Sequence, residues 1–305
     1  MKLSIVVVNW NTREFLLAAL ESIRRKPPDA EYEIIVVDNG STDGSAEGVS
    51  QQYSDVRLIA NKENIGYARG NNQGIKASRG EYVLLLNPDV VIPEGALNRA
   101  VNIMEAEPEV GVLAARLVHP DGRVQQSVRG FPSPWSVFCD VMGLSRLFPR
   151  SRLLASYRMP WFDYGRRSDV EQPMGTFLMI RRSVLETVGL LDERFPIFFN
   201  DVDWCYRARR AGCRIVYDPS VTVIHYGGAS TRLVAPAMAW ESRRGLLTYL
   251  AKHYPGWRHR PLLWLASTAS WVYAAALSLR RRYSAICSQT QARQHRCNAS
   301  ERRPQ

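Results

Sequence analysis

The sequence predicts an α/β fold with a mostly parallel central sheet flanked by helices. Short runs rich in valine, isoleucine and leucine alternate with segments of helical periodicity over the first 118 residues. Strands that are apolar along their whole length are typical of parallel sheets covered by helices on both faces. With 305 residues, 46% of them hydrophobic, the chain can also bury a sizeable core.

The first half follows a regular order of strands and helices. The predicted strands are LSIVVVNW, EIIVVD, VRLIA, YVLLL and VGVLAA. Helices are predicted after Thr12, which is a candidate N-cap, after the polar cluster behind the second strand, over residues 67–78, and from Pro93 onward.

The regular alternation ends near residue 119. Residues 119–172 contain five prolines and show no sustained period, so loops and short elements laid over the first half are expected. A second structured block runs from GTFLMIRRSVLETVG through FFNDVDWCYRARRAG, CRIVYDP and VTVIHYGG into helices. The predicted divisions are two halves over residues 1–118 and 119–255, a C-terminal apolar and basic helix over 256–283, and a disordered basic tail over 284–305.

Composition excludes several classes of function. The net charge is +11, but residues 280–305 carry seven arginines and one glutamate, so the body holds only +5. Basic residues in a terminal tail, rather than on a patterned recognition helix, argue against nucleic-acid binding. The five cysteines include no C-x-x-C pair, and no export signal opens the chain. These features predict a cytoplasmic protein without structural zinc.

One C-terminal segment leaves the membrane question open. Residues 262–279 are uncharged and are followed at once by three arginines. A bilayer span needs roughly 20 apolar residues, so the segment is borderline, and four of its residues are serine or threonine. It can be a buried or amphipathic helix. Alternatively, residues 262–282 can make peripheral contact with anionic lipid at the inner face of the plasma membrane.

Polar clusters follow three of the predicted strands. Asn9 and Asn11 follow the first strand, Asp38 ends the second, and Asp89 lies in the NPDV sequence after the fourth. Ligands of open α/β sheets bind beyond the carboxyl ends of the strands. Three such strand ends therefore predict one binding site.

Two nucleotide-binding motifs are missing. No G-x-G-x-x-G follows the first strand and no G-x-x-x-x-G-K-[ST] occurs, which argues against dinucleotides and P-loop chemistry. A bound nucleotide would then need a divalent cation held on carboxylate, and Asp89 is a candidate. Asn-Pro-Asp is also common turn chemistry, and Asp38 can form an Asx-turn instead of accepting a hydrogen bond from a base or ribose.

The polar blocks resemble a known family when they are taken in order. VVVNWN, VVDNGSTDGS, NIGYARGNNQGI, LLLNPDV, MGTFLMIRRSVLETVGLLDERF, FFNDVDWCYRARRAG and VIHYGGAS are similar to family 2 glycosyltransferases of the GT-A fold, and most similar to the bacterial rhamnosyltransferase-like branch. The resemblance covers roughly residues 3–255. It implies a nucleotide-binding first half, an acceptor and catalytic second half, and a nucleotide-diphosphate sugar whose phosphates are bridged by Mn²⁺ or Mg²⁺.

The resemblance also implies roles for single residues. Asp38 matches the acid that reads the base, Asp89 the last acid of the metal-binding motif, and His225 a histidine that completes the metal site in several relatives. Asp201 matches the catalytic base, but Asn200 replaces the usual preceding glutamate. The residues expected to bind the nucleotide sugar are Asn9, Asn11, Asp38, Asn64, Gly66, Arg69, Asn72 and Asn87.

Helix geometry separates two neighbouring carboxylates. If Asn200 caps the helix, Asp203 falls at the third position, where it can complete a capping box. Two residues on a helix differ by about 200°, so Asp201 and Asp203 cannot easily serve one site. Arg207, one turn further on, can pair with Asp203.

The sequence thus predicts an inverting, metal-dependent glycosyltransferase. It would move a sugar, with rhamnose suggested by the branch, from a nucleotide diphosphate to a polysaccharide or lipid-linked saccharide in cell-envelope glycan synthesis. The rival hypothesis is a catalytically silent protein that binds a nucleotide sugar or glycan on the same fold, and Asn200 is the feature that favours it.

Overall fold

The computed structural model describes residues 1–228 and 235–256, with five further positions between 261 and 271. The strands of this part are β1 (Leu3–Asn9), β2 (Tyr32–Asn39), β3 (Arg57–Asn61), β4 (Tyr82–Leu86), β5 (Val90–Val91), β6 (Val110–Val118), β7 (Val128–Arg129), β8 (Ser168–Asp169), β9 (Gln172–Pro173), β10 (Phe177–Arg181) and β11 (Arg214–His225).

The described helices lie between and after these strands. They are α1 (Arg13–Arg25), α2 (Ser45–Gln52), α3 (Tyr67–Ala77), α4 (Ala96–Ala106), α5 (Pro134–Val141), α6 (Leu144–Leu147), α7 (Arg182–Val188), α8 (Asn200–Arg210) and α9 (Ala235–His253). The five strands predicted in the first half are confirmed. The helix expected from Pro93 begins at Ala96 instead, after Gly95 in the left-handed region.

A nine-stranded sheet forms the centre of the molecule. Its order is β3-β2-β1-β4-β10-β6-β11-β5, and β8 pairs with β11 at the side. The pairs among β1, β2, β3 and β4 are parallel, as is the pair of β6 with β11. The predicted α/β architecture is confirmed, with a sheet that is mixed because β10 runs antiparallel between β4 and β6.

Strand β1 shows why the sheet is buried on both faces. All seven of its residues are buried. Ile5 and Val7 pack into one apolar cluster with Leu16 and Leu20 of α1, whereas Val6 packs into a second cluster with Ala68 of α3. Side chains alternate across a strand, so a strand covered on both faces is apolar throughout.

The second half reaches the sheet with fewer regular elements. As expected, residues 119–172 hold only short strands and helices. The segments CRIVYDP and VTVIHYGG, which the sequence presented as two units, form the single strand β11, whose register is irregular between Asp218 and Thr222.

The C-terminal predictions are tested least. The helix expected over residues 256–283 and the tail expected over 284–305 lie almost wholly outside the described residues. Within the described part of the chain, no helix has the length and apolar character that crossing a membrane requires.

Candidate functional site

A cavity of about 630 Å³ opens at the carboxyl ends of the parallel strands. Both halves of the chain contribute to its wall. Six of the predicted site residues lie on it, namely Asn9, Asn64, Asn87, Asp89, Asp201 and His225. The cavity therefore gathers predicted donor-binding, metal-binding and catalytic side chains in one place.

Pairing of β5 with β11 brings Asp89 beside His225. His225 is opposite Val90 in the register, and the backbone N–H of Tyr226 donates to the Asp89 carbonyl over 3.0 Å. The Nε2 atom of His225 consequently lies 3.4 Å from Oδ1 of Asp89. Both side chains are more than nine-tenths buried. They form the polar end of an otherwise apolar sheet.

Gln125 fixes which nitrogen of His225 faces Asp89. Its Nε2 donates to the backbone carbonyl of His225 over 2.6 Å, and a carbonyl can only accept. The amide oxygen of Gln125 must therefore face the His225 ring, where it lies 2.7 Å from Nδ1. Nδ1 then carries a proton, and Nε2 is the ring nitrogen that faces Asp89.

These two side chains fit a hard divalent cation that is shared with a substrate. One carboxylate and one imidazole nitrogen are too few for a metal site built by protein alone, and no group of three or more potential ligands occurs among the described residues. Mn²⁺ and Mg²⁺ sites at phosphates commonly take one or two protein ligands and complete their coordination with phosphate oxygens and water. The donor set is suited to that arrangement.

Asp201 lies at the first turn of α8 and is held by backbone groups. Its Oδ2 accepts a hydrogen bond of 2.9 Å from the N–H of Gly175, and its Oδ1 accepts one of 2.9 Å from the N–H of Val202. No cation pairs with it among the described ion pairs. Burial raises the pKa of this carboxyl above its usual value, although the backbone hydrogen bonds act the other way.

A short chain of contacts joins the loop that carries Asp89 to this carboxylate. The N–H of Asn87 donates to the carbonyl of Thr176 over 3.0 Å, next to Gly175. The hydroxyl of Tyr67 donates to Oδ1 of Asn87 over 2.8 Å. The antiparallel pairing of β10 with β4 thus places Gly175, the partner of Asp201, against the loop that carries Asp89.

Asn9 and Asp38 form a polar network behind the cavity. Nδ2 of Asn9 donates to Oδ1 of Asp38 over 2.8 Å. Ser41 donates to both oxygens of Asp38, from its hydroxyl over 2.6 Å and from its N–H over 2.9 Å. Asp38 forms the Asx-turn that the sequence allowed, is 2% exposed, and is not among the residues on the cavity wall. A contact with the nucleoside base stays a prediction.

Four other predicted donor-binding residues lie away from the cavity wall. Asn72 is buried and bonds to Leu191 and Glu193, and Arg69 forms an exposed ion pair with Glu193. Both residues connect α3 to the loop before α8. Asn11 accepts from Thr42, and Gly66 packs against Pro196. In the structure these four residues contact other parts of the protein, and their contacts with the donor stay predictions.

The expected capping arrangement of α8 is wrong. Phe199, with a φ of 69°, is the N-cap, and Asn200 is already helical. Asp203 does not reach back to the cap. Its Oδ2 accepts from Arg207 over 2.9 Å, and its Oδ1 accepts from Lys252 over 2.6 Å and lies 2.7 Å from Nε2 of His253. The predicted pairing with Arg207 is confirmed, and the two further partners come from α9.

Sequence reasoning missed three contributors to the site. Gln125 sits in a loop without a period, 100 residues before His225. Tyr67 is the first residue of α3, and the sequence assigned roles to its neighbours Gly66 and Arg69 but not to it. Gly175 must lack a side chain, because a Cβ there would stand 2.9 Å from Cβ of Asp201. Of the three residues, Gly175 could have been found from the sequence, because it lies in the MGTF block that is part of the family resemblance.

Known proteins resemble this chain in sequence. Residues 4–189 match the model described as Glycosyl transferase family 2. The N-acetylglucosaminyl-diphospho-decaprenol L-rhamnosyltransferase of Mycobacterium tuberculosis is 30% identical over 263 residues, covering 82% of this chain and 83% of that protein. The rhamnosyltransferase WbbL of Escherichia coli K12 is 23% identical over 260 residues, with 81% and 92% covered.

Solved structures share the fold. A mannosyltransferase from Pyrobaculum calidifontis in complex with GDP-Man and Mn²⁺ superposes with a TM-score of 0.57 at 18% identity, covering 95% of this chain and 79% of that one. S. aureus TarS in complex with UDP gives a TM-score of 0.53 at 19% identity, with 85% and 73% covered. Both are GT-A glycosyltransferases. The chain therefore belongs to glycosyl transferase family 2, in its rhamnosyltransferase-like branch, and has the GT-A fold.

Proposed function

We propose that this glycosyltransferase is a metal-dependent, inverting enzyme that transfers a hexose, with rhamnose the first candidate, from a nucleotide diphosphate to a lipid-linked saccharide. The observation that carries the proposal is that one cavity holds the Asp89–His225 pair and Asp201, a carboxylate without a cationic partner among the described residues. The relative from M. tuberculosis, whose name describes a sugar on a diphosphate lipid, supports the choice of acceptor.

Asp201 would take the proton of the acceptor hydroxyl. Inverting transfer forms one bond from that oxygen to the anomeric carbon while the bond to the nucleotide diphosphate breaks on the opposite face. A raised pKa makes a carboxylate a stronger base, and hydrogen bonds from Gly175 and Val202 fix its direction. A single carboxylate is sufficient, because no covalent sugar intermediate is formed.

Asp89 and His225 would hold the divalent cation. Bound there, Mn²⁺ or Mg²⁺ would neutralise the charge that develops on the departing diphosphate. Gln125 keeps Nε2 of His225 available, and outer partners of this kind typically change metal affinity by about 10- to 100-fold when they are removed. We therefore expect Gln125→Ala to weaken Mn²⁺ binding in the presence of nucleotide, measured by electron paramagnetic resonance.

A donor screen tests the proposal. Purified protein is mixed with Mn²⁺ and a panel of nucleotide sugars, and thermal shift and donor hydrolysis are recorded. At least one donor should stabilise the protein only with metal present and should be hydrolysed or transferred. The configuration of the transferred sugar, measured by NMR, should be inverted. Retention of configuration, or equal turnover with excess chelator, would contradict the mechanism.

The rival function is nucleotide-sugar binding without turnover. Asn200 stands where the family usually carries glutamate; it is 2% exposed and donates to the carbonyl of Ile197. A silent protein would bind the donor in the same screen and release no product with any acceptor. Asn200→Glu, which restores the family residue, would then be the informative variant, since gain of turnover would identify Asn200 as the cause.

Peripheral contact with the membrane through residues 262–282 is part of the proposal. Three described residues of that segment, Trp264, Leu265 and Trp271, are exposed apolar side chains. Aromatic residues beside a basic cluster suit the interface of an anionic bilayer. Flotation with vesicles containing phosphatidylglycerol should recover the full chain, whereas a chain that ends at residue 261 should remain in the soluble fraction.

A further inference from the structure

Arg129, on the wall of the cavity, is a cation that has no anionic partner in the described part of the chain. It lies in β7, is half-buried, and lines the cavity that holds Asp89 and Asp201. Among the described residues, no carboxylate lies within the 4.0 Å ion-pair distance of its guanidinium, and it donates no hydrogen bond. Its one described partner is the ring of Tyr157, 5.9 Å from Cζ.

A neighbouring arginine shows the ordinary arrangement. Arg158, next to Tyr157 in the chain, is paired with Asp140, and its Nη2 donates to Oδ2 over 2.9 Å. Half-buried charges in proteins are normally compensated in this way. Arg129 lacks such a partner, and guanidinium groups favour bidentate contacts with phosphate oxygens. A ligand anion is therefore the expected counterion.

The short β7–β9 sheet brings Arg129 near Asp201, the proposed catalytic base. Arg129 pairs with Gln172 in the register, and three residues later the N–H of Gly175 donates to Asp201. Three residues of extended chain span about 10 Å. Tyr157 lines the same cavity as both groups, and burial is the main reason that its pKa is raised.

Two polar side chains near Arg129 also have atoms without hydrogen-bond partners among the described residues. Ser127 and Gln172, both more than nine-tenths buried, line the same cavity. Among the described residues, Oγ of Ser127 and Oε1 of Gln172 have no hydrogen-bond partner. Buried polar atoms without partners are rare in native proteins. Ser127 directly precedes β7 and Gln172 lies in β9, so both are near Arg129 and mark this wall as one that a polar ligand completes.

We propose that Arg129 binds the diphosphate of the acceptor, and so selects sugars that are linked to a diphosphate over simple glycosides. This inference rests on the proposed function, because it takes Asp201 as the site of the acceptor hydroxyl. The donor diphosphate belongs at Asp89 and His225, on the ends of the large sheet. Arg129 lies on the separate β7–β9 sheet, on the wall of the same cavity as Asp201, which leaves it for the phosphate of an acceptor.

Kinetics with two acceptors test the assignment. The first is N-acetylglucosamine linked to a short polyprenyl diphosphate, and the second is the same sugar as an alkyl glycoside. Arg129→Gln should raise KM about 10- to 100-fold for the diphosphate acceptor, the usual effect of losing hydrogen bonds to a charged group, and should leave KM for the glycoside unchanged. Arg129→Lys should recover part of the loss.

The matched control is Arg123→Gln, which removes the same charge from an exposed arginine paired with Asp121 outside the cavity. It should change neither KM. An equal rise for both acceptors in Arg129→Gln would overturn the inference. Weaker binding of the nucleotide diphosphate in the same variant would also overturn it, because Arg129 would then serve the donor.

A binding measurement separates this inference from the proposed function. Isothermal titration of the diphosphate acceptor needs no turnover, and the wild type should bind it at least 10-fold more tightly than Arg129→Gln does. If no donor is turned over, the proposed function fails, but that difference in acceptor affinity still supports the role of Arg129. If the two affinities are equal, the inference fails even in an active enzyme. Unchanged melting temperatures exclude unfolding as the cause.

Discussion

Two carboxylates on the first turn of α8 have opposite surroundings. Asp201 faces the cavity, where, of the residues that the structure describes, only backbone N–H groups bond to it, and burial raises its pKa. Asp203 is fully buried against α9 and is surrounded by Arg207, Lys252 and His253. Their positions along the helix put them on different faces.

This difference indicates that Asp201 serves catalysis and Asp203 serves stability. Asp203 gives both of its oxygens to side chains of α8 and α9, so it connects the helix that carries the site to α9. Asp201 has no cationic partner among the described residues, so it adds little to stability and remains able to take a proton. Gly245 of α9 also packs closely against the start of α8. A Cβ at this position would come within 2.8 Å of the Phe199 ring.

The largest expected effect on stability is that of Asp203→Ala. The substitution removes the carboxylate that Arg207, Lys252 and His253 share, although Lys252 keeps its pair with Asp192. Losing one partner of a buried ion pair costs about 3 to 5 kcal/mol in comparable cases. Urea unfolding should show this loss of free energy. A change below about 1 kcal/mol would mean that the cluster does not hold the two helices together.

Gly175→Ala should affect the other carboxylate. The new Cβ would lie 2.9 Å from Cβ and 3.2 Å from Oδ2 of Asp201, so the base must move. A displacement of about 1 Å in an active site can cost on the order of 100-fold in rate. We expect kcat to fall by roughly that factor with little change in melting temperature. Gly165→Ala, in an exposed loop, is the control, and equal rates for both variants would contradict a precise position of Asp201.

The pH dependence should show a smaller effect. Asp201 must be ionised to act as a base, and burial raises its pKa. Activity should therefore be lost as pH falls through a value above the ordinary 3.8 of an aspartate. The acidic limb of kcat/KM, measured between pH 4 and 8, reports that value. A limb at or below 3.8 would indicate that the carboxylate is solvated or ion-paired in the working enzyme.

Local patterns in the sequence predicted part of this arrangement, and contacts between distant residues could not be predicted from them. The apolar strands of the first half and the polar groups after them are local patterns, and the structure confirms those strands. Helix periodicity also separated Asp201 from Asp203, whereas the choice of Asp201 as the base came from the family resemblance. The partners of Asp203 did not, because Lys252 and His253 lie about 50 residues away and nothing local indicates that α9 packs on α8.

Contacts between distant segments account for the other differences. Gln125 meets His225 because the loop after β6 returns beside the end of β11, and β10 enters the sheet between β4 and β6 from the second half of the chain. Phe199 occupies a left-handed N-cap position that propensity assigns to Asn200. There, tertiary packing overrides the local preference.

The rate of Asp201→Asn tests the central claim most directly. The substitution keeps the shape of the side chain but removes the base, and general-base catalysis typically contributes about 10²- to 10⁴-fold. With the donor identified and Mn²⁺ present, kcat should fall by that amount while donor affinity and fold are retained. Asp201→Asn that transfers sugar at the wild-type rate would show that another group takes the proton.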